Sequence, residues 1–196
     1  MGGEASHDPE RLILSAPLTH SDWMLRDKVK GVVWGPLGVQ HMLDACKASG
    51  WSRIYWRVLD GGRSLYRSEL VGAAEKGDKD NFYNPQSEVD RSYVRTYSPK
   101  VTPEESTRIP EKMNALDYSA FDSLEAAVAY GHQIGLEIHA WISINEDDHA
   151  WGIQSKFSKK HPQYRWRRRD GRFYRSQISF AFPEPMEYKL GIVKEL

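Results

Sequence analysis

The sequence holds a single cysteine, Cys46, so neither an internal disulfide framework nor a cysteine-based zinc cluster can form within the chain. No apolar run approaches the ~20 residues needed to span a bilayer. Charge of one sign is lacking too: Lys+Arg and Asp+Glu number 27 each, so no overall field draws the chain to nucleic acid or to an anionic membrane. The stretch Met1 to Arg11 is polar and lacks the apolar core of a secretory signal, and the chain as written is expected to stay in the cytoplasm. There is no P-loop, dinucleotide glycine fingerprint or nucleophile elbow, and no repeat at fixed spacing or low-complexity tract. What remains is 196 residues, 40% hydrophobic, 12% aromatic with seven Trp, and 28% charged. That composition describes one globular domain with a real core and excludes two large ones.

The clearest local signal is Gly135 to Asn145. Leu136, Ile138, Ala140, Ile142 and Ile144 alternate with Glu137, His139, Trp141, Ser143 and Asn145, which predicts a strand with two different faces. Before it, Phe121 to Ile134 reads as a helix, with Asp122 as its cap, Glu125 at the third helical position and Gly135 as its stop. The pattern occurs earlier as well: Val39, Met42, Leu43 and Cys46 share a helical face, Gly50 ends it, and Ile54, Trp56 and Val58 alternate through a second strand. Cys46, on that apolar stripe, reads as core. Val29 to Trp34 is expected as the preceding strand and Pro183 to Leu196 as a closing helix.

This β, α, β, α, β, α order predicts a parallel sheet with right-handed crossovers. Strands of a doubly wound sheet are apolar on both faces. Here the second face offers Glu137, His139, Trp141, Ser143 and Asn145, which suits a barrel with a site in its mouth. The expected fold class is therefore α/β, a partial (β/α)8 TIM barrel of about three βα units. Residues 1–28 are expected as a polar N-terminal segment and 29–196 as the barrel portion. A long segment after the second strand, Gly61 to Ala120, has four prolines and no sustained periodicity and is read as a wall of the site. Asp170-Gly171, between Tyr164–Arg169 and Arg172–Arg175, predicts a small β-hairpin after the third strand.

Sites on parallel β/α folds gather at the carboxyl ends of strands. The third strand runs out through Trp141, Ser143, Asn145, Glu146, Asp147, Asp148 and His149, and the second through Arg57, Asp60, Gly61, Gly62 and Arg63. Carboxylates, arginine, amide and aromatic faces at one rim suit a sugar, whose hydroxyls need donors and acceptors and whose ring packs on indole. Glu146 and Asp148 are the candidate catalytic carboxylates, because glycoside hydrolysis uses two such groups about 5 to 9.5 Å apart. Arg57, Asp60, His139, Trp141, Asn145 and Asp147 are the candidate substrate-binding residues. Glu137 or Asp60 is expected to partner Arg57. Asp147, Asp148 and His149 are successive and do not converge on one tetrahedral ion, so no metal and no cofactor is expected. From Lys156 to Arg175 there are nine Lys or Arg against one acidic residue, Asp170, with Tyr164, Trp166, Phe173 and Tyr174 interleaved. That surface offers a nucleic-acid or polyanion-binding alternative, which the balanced overall charge opposes.

The string Gly135-Leu136-Glu137-Ile138-His139-Ala140-Trp141-Ile142-Ser143-Ile144-Asn145-Glu146-Asp147-Asp148-His149, preceded by Phe121-Asp122-Ser123-Leu124-Glu125, resembles the glycoside hydrolase-like family 10 proteins of bacteria. Ile54-Tyr55-Trp56-Arg57-Val58-Leu59-Asp60-Gly61-Gly62, with Tyr66 and Ser68, is similar to that family's second-strand segment. His161-Pro162, Asp170-Gly171 and Ser179 to Glu184, leading into Glu187-Tyr188-Lys189-Leu190, resemble its following loop and helix. Pro185-Met186 departs from the family's usual valine and arginine. The resemblance implies a glycosidase-like (β/α)8 barrel acting on carbohydrate, of which this chain supplies the N-terminal part. A non-catalytic glycan-binding fragment is the companion expectation.

Overall fold

Asp122 caps the helix that precedes the best-patterned strand. Its Oδ1 accepts from the backbone N–H groups of Leu124 (2.8 Å) and Glu125 (3.0 Å), satisfying donors that a helix N-terminus leaves unpaired. At the other end Gly135 takes φ 74°, a left-handed conformation that glycine adopts without a Cβ penalty, and the chain turns into the strand. The computed structural model describes residues 13–19, 35–72, 121–147, 155–171 and 173–196. In chain order the elements are β1 (Ser15–Leu18), α1 (Pro36–Ala48), β2 (Arg53–Arg57), β3 (Leu59–Asp60), β4 (Arg63–Ser64), α2 (Ser123–Gln133) and β5 (Glu137–Trp141). There follow α3 (Lys156–Lys160), a 3-10 turn (Pro162–Tyr164), β6 (Arg165–Arg167), β7 (Phe173–Ile178) and α4 (Pro183–Glu195).

β1, β2 and β5 form a parallel sheet in that order. Ile54 pairs with Ile138, Tyr55 with His139, and Arg57 with Trp141, so side chains in register share a face. One face carries Ala16, Leu18, Ile54 and Trp56, packed with Val39, Leu43 and Cys46 of α1 and Ala127 of α2 in a single core. Complete burial of a side chain such as Ile54 contributes roughly 1.5–3 kcal/mol. Strands that neighbour one another in chain order, run the same way and send both crossover helices to one face follow the winding of a β/α barrel. A doubly wound sheet would place helices on both faces. The fold is thus α/β and fits part of such a barrel, with Arg53, Tyr55, Arg57, Glu137, His139 and Trp141 on the face away from the helices.

The first strand departs from expectation. It comes from Ser15–Leu18, inside the segment read as a polar extension, while the expected strand Val29–Trp34 lies outside the described residues. Only Ala16 and Leu18 point to the core, and Pro17 masks the strand pattern. Proline is tolerated there because, among the described residues, β1 pairs with β2 alone. Of the long segment after β2, residues 61–72 are described and 73–120 lie outside. The described part includes β4, which pairs in a two-residue ladder with β3 just before it.

The Asp170-Gly171 hairpin is present: β6 and β7 pair antiparallel around Gly171, which has φ 85°. An aromatic cluster holds its base to α4. Phe157 stacks on Tyr188 at 4.4 Å and 3° and lies 6.0 Å from Tyr164, which meets Phe182 at 5.1 Å. At the far end of α4, the Glu195 carboxylate accepts from Tyr66 Oη (2.8 Å), Ser68 Oγ (2.6 Å) and the N–H groups of Glu69 (2.9 Å) and Leu70 (3.1 Å), clasping the chain that follows β4. Among the described residues no helix is long and apolar enough to cross a membrane.

Candidate functional site

The tips of β2 and β5 lie side by side because the strands are parallel and in register, and the Val58 N–H extends the ladder to the Trp141 carbonyl at 3.1 Å. Arg57 at the end of β2 is the hub. Its Nε donates to the Leu59 carbonyl at 2.7 Å and its Nη2 to Glu146 Oε2 at 2.7 Å, while the guanidinium carbon stands 5.4 Å from the centre of the Trp141 ring. Glu146 reaches this position through a turn closed by its N–H on the Ser143 carbonyl, 3.1 Å. The pair is partly buried, with side-chain exposures of 15% for Arg57 and 24% for Glu146. In that setting a charge-assisted contact outweighs the modest value of a fully exposed pair.

Glu137 is therefore not the partner of Arg57. The register sets Glu137 opposite Arg53, whose Nε and Nη2 each lie 2.7 Å from Glu137 Oε2. Arg57 sits four residues further along, about 13 Å away at 3.3 Å per residue. The Arg53 hydrogen bond holds the Glu137 carboxyl below its ordinary range, against the opposing effect of burial. His139 belongs to this lower part of the face: its side chain is 48% exposed, 3.6 Å from Glu137 Oε2, and its ring is 5.7 Å from that of Tyr55.

Asp147, next to Glu146, turns the other way. It is fully buried, and its Oδ2 accepts from the hydroxyls of Ser155 and Ser158 while its Oδ1 accepts from Lys189 Nζ at 2.9 Å. Lys189 is 1% exposed and also donates to the Glu146 carbonyl at 2.9 Å. Ser155 is the N-cap of α3, accepting from the Ser158 N–H at 2.8 Å. This buried knot fixes the backbone on which Glu146 is mounted. It places Asp147, expected at the substrate surface, in the buried frame of the rim. Gly62 passes so close that a Cβ there would stand 2.1 Å from the Ser155 nitrogen and 2.3 Å from the Asp147 carbonyl oxygen.

The structure brings together Arg57, Trp141 and Glu146, with Asn145 adjoining. The Asn145 carbonyl accepts from the Ile178 N–H at 3.2 Å, and Glu146 forms an antiparallel bridge with Gln177, so β7 lies across the tip of β5. Asp60 is placed in β3 opposite Arg63, but its side chain and the whole of Asp148 lie outside the described residues, as does His149. Among the described residues no group of three or more His, Cys, Asp or Glu is positioned to hold a metal ion. The residue that sequence reasoning passed over is Lys189. Its signal was its place with Pro185 and Ile192 on the buried stripe of α4, where a lysine requires a carboxylate partner.

The molecule is an α/β protein whose three-stranded parallel sheet fits part of a β/α barrel, with a polar rim at the carboxyl ends of two of its strands. No protein-family model and no curated protein matches the chain. Among solved structures, an alpha-amylase from Lactobacillus plantarum aligns with a TM-score of 0.40 and 14% sequence identity, covering 81% of this chain and 31% of that chain. This chain therefore spans 31% of the length of that structure.

Proposed function

We propose that the tips of β2 and β5 form one wall of a carbohydrate site of glycosidase-like type. The observation that carries this reading is the Arg57 guanidinium held across Trp141 and against Glu146 at the paired ends of two parallel strands. In this reading the Trp141 indole packs against the apolar face of a pyranose, and Arg57 and Asn145 hydrogen-bond its hydroxyls. Glu146 orients the substrate or assists proton transfer, Asp148 is the second candidate carboxylate, and Asp60 and His139 extend the contact surface. The sequence resemblance to glycoside hydrolase-like family 10 supports the same reading.

The test is hydrolysis of a panel of aryl glycosides by wild type and Glu146→Gln. Positioned acid–base groups contribute about 10²–10⁴-fold, so a loss of that order is expected. Unchanged rates remove Glu146 from catalysis. A second reading, glycan binding without hydrolysis, is favoured by one observation: of the two described acidic residues in the loop directly after β5, Asp147 is spent on the buried knot, leaving Glu146. Under it, wild type binds oligosaccharide without turnover, and Trp141→Ala weakens that binding.

A further inference from the structure

The basic stretch 156–175 is not consumed by the rim, yet it is rooted in it. β7 joins the tip of β5 through Ile178 and Gln177, and the Ser179 N–H closes on the Tyr164 carbonyl at 2.7 Å. Between the 3-10 turn, β6 and the start of α4 lies a cleft of about 350 Å³, lined by Gln163, Arg165, Trp166, Arg167, Ser179 and Phe182. Trp166 and Phe182, 43% and 41% exposed, line this cleft together with the two arginines. The volume is at the lower end of the roughly 300–1,000 Å³ typical of small-molecule sites.

The lining has a recognisable chemistry. Planar guanidinium forks match a carboxylate or a sulfate, the aromatic rings match the C–H face of a pyranose, and the amide of Gln163 and hydroxyl of Ser179 match ring hydroxyls. Nucleic acid fits less well. Strand binding needs successive open aromatic faces. Here the Tyr174 face is covered by Arg168 at 4.7 Å, and Trp166 meets Tyr174 edge-on, 6.0 Å apart at 89°.

We propose that this cleft is a subsite for an anionic sugar residue, a uronate or a sulfated pyranose, within a glycan whose neighbouring residue rests on Trp141 and Arg57. The inference deepens the carbohydrate reading of the rim and rests on it. Ile178 and Gln177 of β7 join Asn145 and Glu146 at the rim, and Ile178 also pairs with Arg165 of the cleft lining, so the two surfaces share one strand.

The test is calorimetric titration of the 196-residue chain. The probes are a galacturonate tetramer, a heparin-derived tetrasaccharide, neutral cellotetraose and the oligonucleotide dT8. The proteins are wild type, Arg167→Gln and Trp166→Ala in the cleft, and Trp141→Ala at the rim. Wild type is expected to bind one of the acidic tetrasaccharides at least about tenfold more tightly than cellotetraose, with affinity falling as salt rises. The identity of the preferred one separates carboxylate from sulfate. Each cleft variant is expected to lose about tenfold for the acidic sugar, and Arg167→Gln to leave cellotetraose unaffected. Equal binding of acidic and neutral sugars, no binding of either acidic sugar, full acidic binding by Arg167→Gln, or tighter binding of dT8 overturns the proposal. Loss on Arg167→Gln with none on Trp141→Ala retains the cleft and overturns the rim.

Discussion

Replacing Lys189 with methionine removes the ammonium from a site where it is 1% exposed and lies 2.9 Å from both Asp147 Oδ1 and the Glu146 carbonyl. Methionine fills much the same volume, so packing changes little and the experiment isolates the charge. What remains is a fully buried carboxylate with the hydroxyls of Ser155 and Ser158 as partners. Breaking one side of a buried ion pair typically costs about 3–5 kcal/mol, a large share of the ~5–15 kcal/mol that holds an ordinary domain together. For a chain of this length the melting temperature falls by roughly 2–4 °C per kcal/mol, so a drop of about 6–20 °C is expected. The decisive comparison is with Asp147→Asn/Lys189→Met, in which both charges are gone. Burial of a neutral pair carries no uncompensated charge, and most of the loss should be recovered. Urea unfolding at neutral pH, followed by tryptophan fluorescence and circular dichroism, measures all three proteins. A Lys189→Met variant within about 1 kcal/mol of wild type, or a double variant no more stable than the single one, would refute the claim that this pair fastens the rim.

Two further outcomes follow from the same geometry. Burial alone would raise the Glu195 carboxyl, but the donors Ser68, Tyr66, Leu70 N–H and Glu69 N–H together hold it below its ordinary value of 4.5. Its contribution is therefore complete above pH 4.5 and is lost as pH falls through the lowered folded-state value; Glu195→Gln should flatten the acid limb of a stability–pH curve and cost about 1 kcal/mol at neutral pH, and an unchanged acid limb contradicts the assignment. Gly62→Ala drives a methyl group into the backbone of Ser155 and Asp147, and a loss of about 1–3 kcal/mol by thermal unfolding is expected, whereas a neutral result means the two segments separate freely.

Much of the architecture could be read directly from residue order. The alternation that begins at Leu136, the Asp122 cap, the Gly135 stop and the Asp170-Gly171 turn are local codes, and each announces an element that is present, but the strand expected to run to Asn145 stops at Trp141, and Ile144 beyond it is 45% exposed. Elements too short for periodicity escaped: β1 shows two inward residues and a proline, and β3 and β4 have two residues each. Site residues divide in the same way. The proximity of Arg57 and Trp141 follows from parallel pairing, once strand ends are known. The opposite destinies of Glu146 and Asp147 do not, because they depend on a lysine 42 residues further along the chain that selects the second carboxylate and leaves the first for Arg57. Residue order placed all three acidic neighbours at the site, Glu146 and Asp148 as catalytic candidates and Asp147 as a substrate contact. Burial distinguishes the two that are described.

Lys189 and Glu195 both belong to the last helix, yet they secure segments made much earlier, at Asp147 and at Tyr66 to Leu70. During synthesis, domains take shape as the chain emerges amino end first. The three parallel strands can therefore assemble on the ribosome while Glu146 still lacks its anchor. Only when α4 has cleared the exit tunnel does the rim acquire its final geometry, so a nascent chain halted near residue 182 would own the sheet without the completed rim.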